Sequence, residues 1–266
     1  MQYFWAALIT LWLVIAVYFY INYVIFHKYF GKAGRRKKSG PQSGAGEYER
    51  INITAADEII LTAKLYIPES GDGEKSVLLS HGYRTSGEAD FEKEAELYKS
   101  LGYNVLVMEH RCHGKSSGDI VSMGIIESYD VVYWCKWLEL RFGTGCPTIV
   151  HGKGMGGFAA VVALANPELP RNVAKAVAEN VYDSVFNLFS ETMQSKYGFW
   201  SKVIIPVVNI FYRLNTGFDM RDAELKRFAK KISTPVLFIN TDKSSQAVSL
   251  TKTAVCDVEL EKYLED

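Results

Sequence analysis

The chain has 266 residues, 48% of them apolar and 23% charged, which fits one large globular domain plus an appendage. Basic and acidic side chains balance at 30 each, but six of the basic ones and none of the acidic ones fall in residues 1–40. The remainder therefore carries 24 basic against 30 acidic side chains, a net of −6, which argues against a nucleic-acid partner.

Residues 3–26 contain no charged side chain. A helix of that length covers roughly 36 Å, enough for a ~30 Å hydrocarbon core with some tilt. Trp5, Tyr18, Tyr20 and Tyr23 lie near its ends. The start, Met1-Gln2-Tyr3-Phe4-Trp5, lacks the basic residue of a secretory signal, and no A-x-A site precedes the charges. An uncleaved, single-pass transmembrane anchor over residues 1–27 is expected, with the membrane as the protein's partner through this helix. The adjoining charges Lys28, Lys32, Arg35, Arg36, Lys37 and Lys38 all follow the span, which puts the C-terminal body in the cytoplasm at the cell membrane. Residues 28–47 read as a basic flank and a flexible linker, ending in the Ser/Gly/Pro-rich stretch 39–46.

The body, 48–266, alternates strand and helix signals. Strands are expected at 48–53, 58–67, 76–80, 104–109, 147–151, 174–179 and 235–240, with helices at 90–101, 125–142 and 154–166. This alternation predicts an α/β fold with a doubly wound, mostly parallel sheet. The stretch 183–233 breaks the rhythm with aromatic-rich helical pieces at 186–197, 200–214 and 221–231. It is too long for a simple crossover and is expected to be a helical cap. Its aromatic residues suit cap packing, an acyl pocket or contact with the membrane surface. The cysteines, Cys112, Cys135, Cys146 and Cys256, are scattered singly, with no C-x-x-C pair and no metal-ligand spacing. No metal or other cofactor is expected, and the thiols read as buried or free in a reducing compartment.

Several motifs follow one another in order: His81-Gly82-Tyr83 after a buried strand, Glu109-His110-Arg111-Cys112-His113-Gly114 after another, and Met123-Gly124 with Glu127. Gly152-Lys153-Gly154-Met155-Gly156, Gly217-Phe218-Asp219 and Pro235-Val236-Leu237-Phe238-Ile239 complete the series. Together they resemble the α/β-hydrolase superfamily over roughly residues 48–250. More narrowly the chain resembles the superfamily's bacterial membrane-anchored branch of serine aminopeptidase-like and acyl-ester lipase-like proteins. That resemblance implies a G-x-S-x-G nucleophile elbow at 152–156, where the nucleophile position is Gly154. It places the catalytic acid at Ser244 or, with a small gap, at Asp242, so the acid position also reads as degenerate. The family's His follows the elbow and the acid. Here the histidines are His27, His81, His110, His113 and His151, and none follows residue 151. The stretches 253–258 and 259–264 read as remnants of the last strand and helix.

The resemblance implies that the backbone N–H groups of Tyr83 and Met155 keep oxyanion-hole positions. They would receive a small acyl or anionic ligand, or persist only because the fold needs the loops. Lys153 reads as solvated. Cys112-His113 is the candidate for a replacement nucleophile and base. Glu179 and Asp183 occupy the position of an alternative acid, with no later His to orient. Ser80, Ser116 and Ser117 read as turn and capping hydroxyls, and Glu109 as a partner of loop backbone near Arg111. The expected function is a non-catalytic binding or regulatory protein, a pseudoenzyme, for an acyl or apolar ligand under the cap. The alternative is an esterase- or peptidase-like hydrolase acting through displaced residues or completed by a partner.

Overall fold

The computed structural model describes residues 1–33, 46–69, 71 and 73–240. In chain order its elements are α1 (Gln2–Phe30), β1 (Glu49–Thr54), β2 (Ile60–Tyr66), β3 (Lys75–Ser80), α2 (Gly87–Ser100), β4 (Tyr103–Glu109) and α3 (Glu127–Phe142). There follow β5 (Thr148–Lys153), α4 (Met155–Leu164), β6 (Val173–Glu179), α5 (Val185–Tyr197), α6 (Ser201–Thr216), α7 (Leu225–Ala229) and β7 (Val236–Ile239). They form two compact units. One comprises Met1–Gly31 with Ser184–Ala223, the other Lys32–Asp183 with the segment from Glu224 onward.

The second unit holds a seven-stranded sheet in the order β1-β2-β4-β3-β5-β6-β7. β2 pairs antiparallel with both β1 and β4; every later pairing is parallel. The expected doubly wound, mostly parallel sheet is therefore present. Its central strands are apolar runs because both faces are covered. Val77, Leu79, Val105, Val107, Ile149 and Val177 meet Phe91, Ala95 and Tyr98 of α2. By the two-residue period of a strand, Leu78, Leu106 and Val150 face the other way, and they are equally buried. α3 and α4 pack on one another and against β3. All ten residues of α4, Met-Gly-Gly-Phe-Ala-Ala-Val-Val-Ala-Leu, are buried, which their small or apolar side chains permit.

The first unit joins α1 to α5 and α6, with the 3₁₀ turn Gly198–Trp200 between those two. α1 is long and apolar enough to cross a membrane. None of residues 2–21 is buried, whereas Asn22, Ile25, Phe26 and Phe30 are. Phe30 packs on Phe189 of α5 at 5.3 Å and on Tyr212 of α6 at 5.1 Å between ring centroids. Phe26 stacks on Phe30 at 5.6 Å and lies 6.0 Å from Phe211. This packing carries the helix three residues beyond the expected end of the anchor at 27. It stops at Gly31, whose N–H bonds the carbonyl of His27 at 2.9 Å.

The helical stretch expected at 183–233 divides between the units. α5, the 3₁₀ turn and α6 join α1, and α7 goes with the sheet. The helix expected over 221–231 is only Leu225–Ala229. Asp219 Oδ1 accepts the Arg221 N–H at 2.9 Å, a side-chain turn that competes with helix at its start.

Candidate functional site

β5 ends in a sharp turn into α4. Gly154, the N-cap of α4, has φ 53° and ψ −114°, a region that residues with a Cβ enter only under strain. Its N–H bonds the Glu179 carbonyl at 2.8 Å, and its carbonyl accepts the Phe158 N–H at 2.9 Å. The flanking glycines are required by space. A Cβ at Gly152 would lie 2.3 Å from the Gly156 carbonyl oxygen, and one at Gly156 would lie 2.0 Å from that of Ser80. At Gly154 a Cβ would meet nothing nearer than the Gly82 Cα, 4.0 Å away. The turn thus resembles a nucleophile elbow in shape, and of its glycines only Gly154 has room for a side chain.

The loop after β3 faces this turn and is folded by Asp90 of α2. Asp90 Oδ2 accepts the Gly82 N–H at 2.7 Å and the Thr85 hydroxyl at 2.6 Å. The side chains of Tyr83 and Met155, whose backbone N–H groups are the expected oxyanion pair, pack with those of Cys112, Val121 and Met123. Met123-Gly124 presses on the first turns of α4, where a Cβ at Gly124 would lie 2.7 Å from the Phe158 ring. Glu127, fully buried, holds that loop. Its carboxylate accepts the N–H groups of Ser122 at 2.8 Å and Gly124 at 2.7 Å, and the Ser122 hydroxyl.

The histidines of the sheet unit are structural. His81 donates from Nδ1 to the Gly82 carbonyl at 2.7 Å and accepts the His110 N–H at Nε2 at 3.1 Å. His110 Nε2 lies 2.9 Å from Ser80 Oγ, which itself donates to the Gly156 carbonyl at 3.2 Å, so the ring is the donor to Ser80. Burial lowers the pKa of His81 to about 3, helped by the charge of His113, and keeps His110 well below its ordinary value.

His113, expected as a replacement base, has both ring nitrogens engaged. Nδ1 donates to the Arg111 carbonyl at 2.9 Å, and Nε2 accepts the Arg84 N–H at 3.0 Å. Its neighbour Cys112 is 1% exposed. Burial, with the nearby Glu127 carboxylate, pushes that thiol up to about 12, so it stays protonated and unreactive. Arg111, between these motifs, is clamped by Asp130 through bonds of 2.8 and 2.6 Å and by Asp57 at 2.7 Å.

Three expectations are corrected. Glu179 does have a histidine to hold: His151 Nε2 lies 2.7 Å from its Oε1, and His151 Nδ1 meets the Tyr98 hydroxyl at 3.1 Å. The pair sits on adjacent parallel strands, so only the β5–β6 register could have exposed it. Lys153 is not solvated. It bonds the Asp90 carbonyl at 2.8 Å, pairs with Glu94, and lies 3.7 Å from Glu179 Oε2. The Glu109 carboxylate lies against Gly114 of the loop that follows Arg111, but its backbone hydrogen bond comes from the Gly87 N–H and not from that loop. Its Oε2 is buried without a hydrogen-bond partner, and burial raises the carboxyl to about 7. Ser116 and Ser117 bond the backbone of β2 through the Thr62 N–H at 2.9 Å and the Ile60 N–H at 2.8 Å. Cys112, Cys135 and Cys146 are buried free thiols. The acid positions Ser244 and Asp242, and Cys256, lie outside the described residues.

No protein-family model matches the chain. The uncharacterized protein YqkD of Bacillus subtilis is 26% identical over 174 residues, 64% of this chain and 55% of that protein. The match thus spans about half of that relative's length. Protein bem46 of Schizosaccharomyces pombe is 23% identical over 234 residues, 85% of this chain and 71% of that protein. Among solved structures, the Pyrococcus furiosus esterase Pf2001 superposes with a TM-score of 0.60 at 21% identity, over 79% of this chain and 76% of that one. An alpha-beta hydrolase from Vibrio vulnificus superposes with a TM-score of 0.58 at 17% identity, over 81% and 74%. At these identities the structural likeness is one of fold.

Proposed function

The chain has the α/β-hydrolase fold, and on that premise we propose that it is a membrane-anchored pseudoenzyme. In this reading it binds a small acyl, apolar or anionic ligand at the elbow and does not hydrolyse it. One observation carries the reading: Gly154 keeps the strained backbone of a nucleophile elbow with no side chain to attack a carbonyl. The imidazoles of the sheet unit offer no base either: His81, His110, His113 and His151 are buried and hydrogen-bonded within the fold. A ligand would meet the start of α4, whose first-turn N–H groups have no partner within the helix and carry partial positive charge. The Tyr83 and Met155 backbones would supply the donors to a carbonyl or carboxylate oxygen.

α1 serves as a single-pass anchor in this reading, with the sheet unit on the cytoplasmic side because the basic residues follow the span. The rival reading, a hydrolase using Cys112 and His113, is opposed by the protonated thiol and the fully engaged imidazole. The test is exposure of the purified full chain to a fluorophosphonate probe and to a panel of acyl esters. No labelling and no turnover above background are expected. Stoichiometric labelling at any serine would overturn the proposal.

A further inference from the structure

Within the unit built on α1, three contacts fix the register of α6 along the helix. The Tyr18 hydroxyl donates to the Val203 carbonyl at 2.6 Å, Phe26 lies against Phe211 at 6.0 Å, and Phe30 against Tyr212 at 5.1 Å. Residue numbers rise together on both helices, so α6 runs parallel to the C-terminal half of α1. Its start, with the 3₁₀ turn before it, points back toward the N-terminus of α1.

That register has a consequence for depth. Residues 2–21 of α1 are the portion with nothing buried, and 20 residues at 1.5 Å each cover about 30 Å, the thickness of a hydrocarbon core. Tyr18 lies within the last turn of that portion, so Val203 does too. Trp200 and Phe199 precede Val203 by three and four residues and lie roughly another 5 Å along. They are 68% and 71% exposed, and Val203 is 43% exposed. Two adjacent aromatic rings bare to water on a turn tip are unusual for a soluble surface. Aromatic rings roughly 5–10 Å inside the headgroup boundary are the mark of interfacial insertion. Lys202 lies over the Phe199 ring at 5.5 Å and Lys196 over Tyr29 at 5.2 Å. Both have the long stem that lets an ammonium reach headgroups while its carbons stay apolar.

We infer that the tip formed by Phe199, Trp200 and Val203 is a second membrane contact, inserted into the bilayer leaflet from which α1 emerges. The inference rests on the anchor reading of α1, and its partner is the lipid bilayer itself. Contact at two points would hold the α5–α6 hairpin against the membrane surface.

Nitroxide labels on the full chain in phosphatidylcholine–phosphatidylglycerol vesicles test this. Single sites come from Phe199→Cys, Trp200→Cys, Val14→Cys and Glu168→Cys in a Cys256→Ser background, since Cys112, Cys135 and Cys146 are buried. All four sites are exposed, so the substitutions spare the core. Labels at 199 and 200 are expected to relax severalfold more with oxygen than with a water-soluble nickel chelate, as at 14, and the label at 168 the reverse. Nickel access at 199 and 200 equal to that at 168 would overturn the inference. So would shielding from both reagents, which would mark a protein interface instead. The label at 14 separates the two failures. Oxygen preference there leaves the anchor standing without the tip contact, and nickel access there removes the anchor as well.

Discussion

The Cα of Gly82 lies 4.0 Å from the point where a Cβ on Gly154 would sit, and no atom beyond Gly154's own neighbours in the chain comes nearer. A serine at 154 therefore fits in space, although φ of 53° strains it. Gly154→Ser is expected to cost about 1–3 kcal/mol of stability, read by chemical denaturation of the full chain in detergent, and to leave ester hydrolysis at background. A working esterase from that single change would overturn the non-catalytic reading, because the base would then have to be present.

Gly156→Ala should behave differently. Its Cβ would fall 2.0 Å from the Ser80 carbonyl oxygen, and both are backbone-bound in the sheet and α4. The expected loss exceeds about 3 kcal/mol or prevents folding. A cost near that of Gly154→Ser, measured in the same denaturation series, would mean that the turn is looser than this geometry requires.

Glu127 gathers two backbone N–H groups and a hydroxyl of the loop that presses on α4. Glu127→Ala leaves these donors buried without an acceptor, at roughly 3 kcal/mol in total. Hydrogen exchange should quicken at Ser122 and Gly124 before it does in β5. Unchanged protection at both amides would show that the carboxylate does not hold the loop.

Two buried glutamates set opposite pH dependences. Burial pushes Glu179 up, but the hydrogen bond from His151 and the charge of Lys153 outweigh it, and its pKa falls below the ordinary 4.5. Its stabilisation is full above about pH 5 and is lost as pH falls through the folded pKa. Glu179→Gln should cost about 3 kcal/mol at pH 7 and flatten the acid limb. Glu109 is raised to about 7, so its protonated form suits the fold. Stability falls as pH rises from about 4.5 to 7. Glu109→Gln should therefore stabilise by about 1–2 kcal/mol at pH 8 and by nothing measurable at pH 4.5. Denaturation midpoints at three pH values check both signs.

Cys112 should resist alkylation. Its thiol is buried and pushed up to about 12, and iodoacetamide at pH 8 should modify it no faster than the fully buried Cys135. Rapid, stoichiometric modification of Cys112 in the native protein would reopen its candidacy as a nucleophile.

Much of the architecture was legible before folding. Short apolar runs such as Ser76-Val77-Leu78-Leu79-Ser80 read as buried strands because a parallel strand covered on both faces leaves no position for a polar side chain. The turn at Gly152–Gly156 was legible through the family resemblance of its motif. What escaped were pairings across the sheet and between helices. Glu179 seemed to have no histidine because its partner, His151, precedes it by 28 residues and meets it only through the β5–β6 register. Lys153 read as solvated because nothing local reveals Glu94 of α2 beside it. The helix α1 runs past residue 27, where the anchor was expected to end, because Phe26 and Phe30 are held by rings from α5 and α6.

By itself the sequence determined that position 154 has no side chain and that the imidazoles within residues 1–266 fall at 27, 81, 110, 113 and 151. Those are covalent facts that no folding can alter. Only the tertiary structure decided that Gly154 sits at φ 53° in a sharp turn from β5 into α4 and that the imidazoles of the sheet unit bond Gly82, Ser80, Arg111 and Glu179. It also decided that Phe199 and Trp200 stand level with the bare part of α1. The chemistry of a side chain belongs to its residue, but its partner is set by strand register and helix crossing, which bring together residues far apart along the chain.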